Sequence, residues 1–487
     1  MPVLYRTLRP LVRFGLEFFF VEIRTVGSEA IPAAGPLIVA ANHPSSLMDT
    51  ALLSTRTARP IHWMARSGLF EPAWAGALLR RMGAIPVYRA EDTQAGHAPD
   101  NARAFRAVFD LLAAGGCIGI FPEGRNSPDA QVAPLRTGLA RIALGVEAEH
   151  DFALGVQVVP VGIHFEKRDR FFTSVLLRVG RPLRAADWRA AWEADPAAAV
   201  RALTDEVQRA LRREALHVED DLRHALVQDL TEAVGERLID QLLVRLQIPR
   251  KGLRRRIFDQ IRAQSTLPHD LDDRYQIRQF LGDLVTALQK HEPATLDELQ
   301  RRTDLYMDHA AQLRLRHATL LDPDAGRTSR VRSALRFTAY LVACFPAAAW
   351  GIVHHALPGL LTRLAAWRTT DPAQRAITLF GAAFVLFPVW YLAEYLVLRR
   401  LLGWGLGWTL LHLTTLPAFG FFWMRYIRQL LRHREAWLAR TLLRDRAGVL
   451  TDLARERRAL VLLVRAAAER LDVRPPGEAA ALGVEGG

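Results

Sequence analysis

The sequence predicts an α/β domain with a mostly parallel sheet flanked by helices, followed by a helical region and C-terminal transmembrane helices. Three observations carry this expectation. Short apolar, β-branched runs alternate with helical patterns through residues 25–185, as strand–helix–strand units do. Residues 186–330 are rich in Ala, Leu, Arg and Glu, with few such runs. Beyond residue 331, three long stretches carry almost no charge.

Residues 1–24 come first. Arg6, Arg9, Arg13 and Glu17 recur at spacings of three and four and so share one helical face, while Leu4, Leu8, Leu11, Val12, Leu16 and Phe18 to Phe20 cover much of the rest. A secretion signal places its positive charge before an uninterrupted apolar run and ends in a small-residue cleavage site. Here the charge is interleaved, and no such site closely follows Phe20. The segment reads either as an amphipathic helix in a membrane interface, kinked or divided at Pro10, or as a soluble helix packed on the next domain.

Within 25–185, strands are expected at Leu37–Ala40, His62–Ala65, Ala84–Tyr88, Cys117–Phe121, Gln157–Phe165 and Val175–Val179. Helices are expected at Met48–Ser54, Pro72–Met82, Asn101–Ala114 and Leu135–Glu147. Pro86 inside its run points to an edge strand or a bulge. The helical linker of 186–330 breaks at Pro249, Pro268 and Pro293. Its cluster Arg250, Lys251, Arg254, Arg255 and Arg256 reads as a solvated helix face or as a headgroup site worth about 1 kcal/mol per charge. His217, Glu219, Asp220, Asp221 and His224 match no metal-ligand spacing and read as a charged helix surface.

The membrane domain is expected over 331–430. Phe337–Leu361 has no Asp, Glu, Lys or Arg, Ala376–Leu398 has only Glu394, and Leu401–Met424 has His412 as its one ionisable side chain. Each would rise ~34 Å or more as a helix, against an apolar bilayer core of about 30 Å. The arginines around these stretches, weighed by the positive-inside rule, favour two spans, with the first stretch dipping in and returning at Pro346 and Pro358. His354, His355 and Glu394 are intramembrane ionisable groups and therefore functional candidates, or else they snorkel to the interface. A helical tail over 431–475 and a disordered tail over 476–487 complete the chain.

Composition narrows the function. Of 487 residues, 64 are Lys or Arg against 51 Asp or Glu, a formal charge of +13. Only Lys167, Lys251 and Lys290 are lysines, so any phosphate is met largely by guanidinium forks. Basic charge suggests nucleic acid or an anionic membrane; the apolar stretches decide for the membrane and against nucleic acid. With only Cys117 and Cys344, a disulfide scaffold and a cysteine-rich zinc site are excluded.

Four strand-associated motifs carry the chemistry. After Leu37–Ala40 the chain runs Ala41-Asn42-His43-Pro44-Ser45-Ser46-Leu47-Met48-Asp49, a turn into a helix. A carboxylate six residues beyond a His can fix its tautomer and make the other ring nitrogen a better proton acceptor. Gly83-Ala84-Ile85-Pro86-Val87-Tyr88-Arg89 ends a strand in an arginine, and Phe121-Pro122-Glu123-Gly124-Arg125-Asn126-Ser127 leaves another with an acid, a glycine and an arginine. Val158-Val159-Pro160-Val161-Gly162 is a strand with an internal proline.

In order and spacing these motifs resemble the glycerolipid acyltransferase family, which includes glycerol-3-phosphate and 1-acylglycerol-3-phosphate acyltransferases. The resemblance covers about residues 20–185. It implies that His43 is the general base and Asp49 its orienting partner. Arg89, Glu123, Gly124 and Arg125 would bind the acceptor's phosphate, and Pro160 would shape the site or simply sit on an edge strand. Ser45 and Ser46 are expected to make local hydrogen bonds in the turn rather than an acyl-enzyme. Five residues separate His43 from Asp49 where the commoner pattern has four, which resembles a branch acting on glycerol 3-phosphate or dihydroxyacetone phosphate. Arg125 follows Gly124 directly, where the commoner motif places a hydroxyl residue between them.

The implied function is transfer of an acyl chain from acyl-CoA or acyl carrier protein to glycerol 3-phosphate or 1-acylglycerol 3-phosphate in phospholipid biosynthesis, with no cofactor beyond that thioester co-substrate and no metal. Membrane phospholipids, the acyl donor and a phosphate-bearing acceptor are the expected partners. The expected location is the inner or plasma membrane with the catalytic domain cytoplasmic. The competing readings are another lysolipid as acceptor and a non-catalytic lipid-binding protein.

Overall fold

A computed structural model of the chain describes residues 3–71, 73–88, 102–126, 132–166, 173–215, 223, 225–235, 271–312, 327–369, 372–442 and 447–473. Arg89, the clusters over 217–224 and 250–256, Pro249, Pro268 and residues 476–487 lie outside them. The chain divides into two compact units, Met1–Glu219 with Thr369–Ile377, and Asp220–Arg368 with Thr378–Gly487.

In the first unit the order is α1 (Val3–Phe19), β1 (Glu22–Val26), β2 (Leu37–Ala41), α2 (Leu47–Arg56), β3 (His62–Arg66), α3 (Ala73–Arg81), β4 (Ile85–Val87), α4 (Ala102–Ala113), β5 (Cys117–Ile120), α5 (Gly138–Glu149), β6 (Gln157–Phe165), β7 (Ser174–Val179), β8 (Leu183–Arg184), α6 (Arg189–Ala194) and α7 (Pro196–Glu214). The strands form one sheet in the order β1-β7-β6-β2-β5-β3-β4, with β8 beside β6. Only β6–β7 and β6–β8 pair antiparallel; the others are parallel. The mostly parallel sheet is as expected. All five residues of β2 are fully buried, as a strand covered on both faces must be.

The proline readings divide. Pro86 lies in β4, at the sheet edge, paired with Ala65. Pro160 does not lie on an edge: β6 runs between β7 and β2, and Pro160 pairs with Ala40. It falls between the residues of β6 that pair with β8 and those that pair with β7. Its carbonyl accepts the Gly180 N–H at 2.9 Å. The missing proline N–H would face that same gap, so no ladder bond is lost.

The N-terminal helix stops at Phe19, and Glu22–Val26, whose residues up to Arg24 were expected to continue it, is instead a strand parallel to β7. α1 packs on the domain. Tyr5, Leu16 and Phe19 are buried, the Tyr5 hydroxyl donates to Ser54 O, and the Arg9 guanidinium donates to Thr57 O. Leu11 and Phe14 remain on its exposed side. At the other end the sheet's core continues past residue 185. Ala199, Leu203, Val207 and Leu211 of α7 share one apolar cluster with Ile38, Ile118 and Val158 of the sheet. Asp195 caps α7 by accepting the Ala197 and Ala198 N–H groups, as N-cap aspartates do.

The second unit is helical: α8 (Leu271–His291), α9 (Pro293–Gln312), α10 (Arg327–Trp367), α11 (Pro372–Leu396, assigned to this unit from Thr378 on), α12 (Leu406–Leu442) and α13 (Ala447–Arg470). α9 begins at Pro293, a tolerated first helical position. α13 folds back onto α8 and α9, where Arg470 forks onto the Glu292 carboxylate at 3.1 and 2.7 Å and His309 pairs with Glu456 at 3.2 Å. Arg470 and Thr295 hold the Glu292 carboxyl down at about 2.

α10 is one continuous helix through Pro346 and Pro358, so the first apolar stretch does not enter and return. The Tyr426 hydroxyl donates to Leu341 O at 3.2 Å and links α12 to this part of α10. Among the described residues, Phe337–Trp367 and Ile377–Leu401 are long and apolar enough to cross a membrane; 11% and 0% of their most apolar windows are buried. The core helix of a soluble protein would be mostly buried. The third expected stretch is helical only from Leu406 and is not among these candidates.

Candidate active site

Parallel strands β2 and β5 are neighbours, and both deliver their motifs at their carboxyl ends, where open α/β sheets bind ligands. The residue after β2 is Asn42. Its side-chain amide donates to Ile163 O at 3.1 Å and accepts from Ile163 N–H at 2.7 Å. This pair extends the β2–β6 ladder by one position and holds the start of the turn against the sheet.

His43 follows. Its Nδ1 lies 2.9 Å from Asp49 Oδ2, and a carboxylate acceptor there requires the proton on Nδ1 of a neutral ring. Nε2 is then the basic nitrogen. Asp49 is fully buried at the start of α2, and its Oδ2 also accepts the Ser45 N–H at 2.8 Å. The five-residue spacing is thus accommodated by a tight turn, in which Met48 and Asp49 N–H donate to Ser45 and Ser46 O. Ser46 has φ 53° and ψ −131°, a region that L residues rarely occupy and that costs of order 1–3 kcal/mol. The Ser45 hydroxyl is buried with no hydrogen-bond partner among the described residues, so backbone amides hold this turn more than the expected serine hydroxyls do.

One face of the His43 ring is covered by Phe121, with centroids 3.8 Å apart and planes 12° from parallel. Phe121 in turn stacks on Trp63 of β3. Trp63 fits because residue 119 of β5 is glycine: an added Cβ would fall 2.5 Å from the indole. Its Nε1–H donates to Ser54 Oγ at 2.8 Å.

Glu123 is buried at 3% exposure. Its Oε1 accepts the His43 backbone N–H at 3.1 Å and its Oε2 the Ala133 N–H at 2.9 Å. It therefore joins three segments, the β2–α2 turn, the exit of β5 and the lead-in to α5, in a positioning role. Gly124 has φ +70°, and a Cβ there would fall 2.7 Å from Arg136 Nε. This left-handed, closely approached position favours glycine. Arg125 is exposed beside it.

The structure therefore brings His43, Asp49, Glu123, Gly124 and Arg125 together; Arg89 lies outside the described residues. Sequence reading missed four contributors: Asn42, Trp63, Phe121 as a stacking partner, and Arg136. Arg136 is exposed and its N–H donates to Pro122 O at 2.9 Å. Its signal was the Leu135-Arg136-Thr137-Gly138 lead into α5, an arginine at a helix start beside the Glu123 motif. Cys117, buried in β5, takes no part: burial pushes its thiol up to about 12, which keeps it protonated and poorly nucleophilic.

Residues 22–164 match the family model described as Acyltransferase. The chain is 40% identical over 84 residues to glycerol-3-phosphate O-acyltransferase 2 of Saccharomyces cerevisiae, which is 17% of this chain and 11% of the yeast protein. It is 30% identical over 123 residues to the 1-acyl-sn-glycerol-3-phosphate acyltransferase of Bacillus subtilis, 25% of this chain and 56% of that protein. The crystal structure of the 1-acyl-sn-glycerophosphate acyltransferase PlsC from Thermotoga maritima aligns at 25% identity over 42% of this chain and 78% of that one, with a TM-score of 0.30. The match thus spans 11% and 56% of the length of the yeast and Bacillus proteins, less than two thirds of each.

Proposed function

We propose that this chain, whose residues 22–164 match the acyltransferase family model, is a membrane-bound glycerolipid O-acyltransferase. It would transfer an acyl group from acyl-CoA or acyl carrier protein to the hydroxyl of glycerol 3-phosphate or 1-acylglycerol 3-phosphate. The observation that carries this reading is the His43 Nδ1–Asp49 Oδ2 pair at 2.9 Å, with Asp49 buried and His43 at the mouth of the parallel sheet.

The step balances with these groups alone. His43 Nε2 takes the proton of the acceptor hydroxyl as its oxygen attacks the thioester carbonyl. The tetrahedral intermediate collapses, the C–S bond breaks, and the imidazolium returns the proton to the leaving thiolate. Asp49 favours the imidazolium electrostatically while the intermediate forms. No cofactor enters this step beyond the thioester co-substrate. Arg125 and Arg136, with Arg89, would meet the acceptor's phosphate as guanidinium forks.

Two long apolar helices support attachment to the bilayer, as do the exposed apolar side chains along them, such as Val353, Leu360 and Val389. On this reading the catalytic unit works on the cytoplasmic side of the inner or plasma membrane, and membrane phospholipids surround the second unit. The intact His43–Asp49 pair favours catalysis over a purely lipid-binding role.

The test is product identification by mass spectrometry. Purified protein is given acyl-CoA or acyl carrier protein with glycerol 3-phosphate, 1-acylglycerol 3-phosphate, dihydroxyacetone phosphate and other lysolipids. Acyl transfer to a phosphate-bearing glycerol, lost in His43→Ala, supports the reading; no acylated product from any combination overturns it.

A further inference from the structure

Three ionisable side chains from three helices of the second unit converge on one point. His354 of α10, Glu394 of α11 and His412 of α12 present ligand atoms that all lie within 4.8 Å of one another. Each stands alone in an otherwise apolar stretch, apart from His355 beside His354. Their side chains are 18%, 13% and 8% exposed respectively.

The hydrogen bonding around them is incomplete in a particular way. Glu394 Oε1 is saturated, paired with His354 Nδ1 at 2.8 Å and accepting Trp390 Nε1–H at 2.7 Å. Glu394 Oε2 is buried without a hydrogen-bond partner, and so are His354 Nε2 and His412 Nε2. Oε2 and His412 Nε2 face one another at 3.8 Å, beyond hydrogen-bond reach. The adjacent His355 shows what a purely structural histidine does here. Its Nδ1 pairs with Gly351 O at 2.8 Å and its Nε2 with the Tyr391 hydroxyl at 2.9 Å.

Burying a carboxylate among apolar helices is costly unless a positive charge compensates it. Two neutral imidazoles supply none, whereas a divalent cation held between the three converging side chains does. Two imidazoles and one carboxylate match zinc, with a fourth position left open, while imidazole donors disfavour magnesium and calcium. Four-coordinate zinc with bonds of about 2.0–2.1 Å needs its donors about 3.3 Å apart, and modest inward rotations of these side chains close the gap. The Trp390 N–H on the other carboxylate oxygen would orient the ligand, as an outer-shell donor does.

We propose that His354, Glu394 and His412 bind one divalent transition-metal ion, zinc before others, and so tie α10, α11 and α12 together. The proposal shares no residue with the acyl-transfer reading and does not depend on it.

The experiment uses the full-length chain, purified in detergent through a tag without histidine, stripped with chelator and then dialysed against zinc alone or cobalt(II) alone. The expected result is about one zinc per chain by mass spectrometry, and visible ligand-field absorption from four-coordinate cobalt. Glu394→Gln and His412→Ala are each expected to weaken retention roughly tenfold or more, while His355→Gln retains the metal. Should a ligand variant fail to survive purification, the unaltered chain decides alone. Zinc no higher than in a metal-free control, with no visible cobalt band, overturns the proposal, as does unchanged retention in Glu394→Gln.

Discussion

Trp63 lies flat on Phe121, with ring centroids 4.8 Å apart and planes 11° from parallel, and Phe121 lies in the same way on the imidazole of His43. The proposed base is thus the outermost ring of a pile of three, fixed in plane by stacking and in rotation by Asp49. Aromatic pairs of this kind contribute about 0.5–1.5 kcal/mol beyond their buried area.

Loosening the pile should slow turnover without weakening acceptor binding. Gly119→Ala places a methyl 2.5 Å from the Trp63 ring, and overpacking of this sort costs about 1–3 kcal/mol. The expected outcome is a lower melting temperature and a lower kcat with KM for the acceptor nearly unchanged, read by thermal denaturation and steady-state kinetics.

Asp49→Asn is expected to lower kcat roughly 10²–10⁴-fold while the chain still folds. The amide can no longer stabilise an imidazolium, but it keeps an oxygen for the Ser45 N–H. A single-turnover assay isolates the effect, and near-normal turnover would show that Asp49 serves the turn alone.

Glu123→Ala removes the acceptor of two backbone amides, those of His43 and Ala133. Each buried donor left unpaired costs about 1–3 kcal/mol. Glu123→Gln keeps acceptor capacity on one side and should recover part of both stability and rate. A melting series across wild type, Gln and Ala checks the ordering.

Arg125→Ala and Arg136→Ala should raise KM for a phosphate-bearing acceptor several-fold and leave kcat less affected. The same variants should not alter KM for a phosphate-free monoacylglycerol, if that acceptor is turned over. Equal effects on both acceptors would remove the phosphate contact from the proposal.

A pH effect on stability follows from His62. Burial lowers its pKa below the usual 6.5, against a smaller opposing effect of its hydrogen bond to Gly83 O. The unfolded chain therefore binds this proton more readily than the folded one. The stabilisation is complete above 6.5 and is lost as pH falls from 6.5 through the lowered folded value. His62→Asn should flatten that part of a melting-temperature profile while the acid limb due to carboxylates remains.

What the sequence disclosed was local. The β2–turn–α2 run places His43 and Asp49 within reach of each other whatever the rest of the chain does. The alternation of strands and helices also showed the sheet class. The pairing of His43 with Glu123 depends on β5 returning to lie beside β2, and the Asn42–Ile163 pair spans 121 residues; neither can be read from spacing. Pro160 was open to an edge reading because strand order is invisible in sequence, whereas Pro86 was placed correctly because β4 is in fact the last strand. β1 was missed because Glu22 and Arg24 interrupt its apolar residues and continue the charge pattern of the preceding helix. The prolines of α10 were read as a reversal, but the helix continues through both of them.

The junction of α7 with β6 decides where the molecule can be cut. Glu214 O occupies the space that a Cβ at Gly162 would need, at 2.0 Å, and also pairs with His164 Nε2 at 2.8 Å. A fragment ending at 185 would strip α6 and α7 and remove Ala199, Leu203, Val207 and Leu211 from the cluster that holds Ile38, Ile118 and Val158. The shortest soluble piece worth expressing for crystallography or ligand screening therefore runs through residue 215, and clones trimmed to the motif-bearing stretch alone should form inclusion bodies.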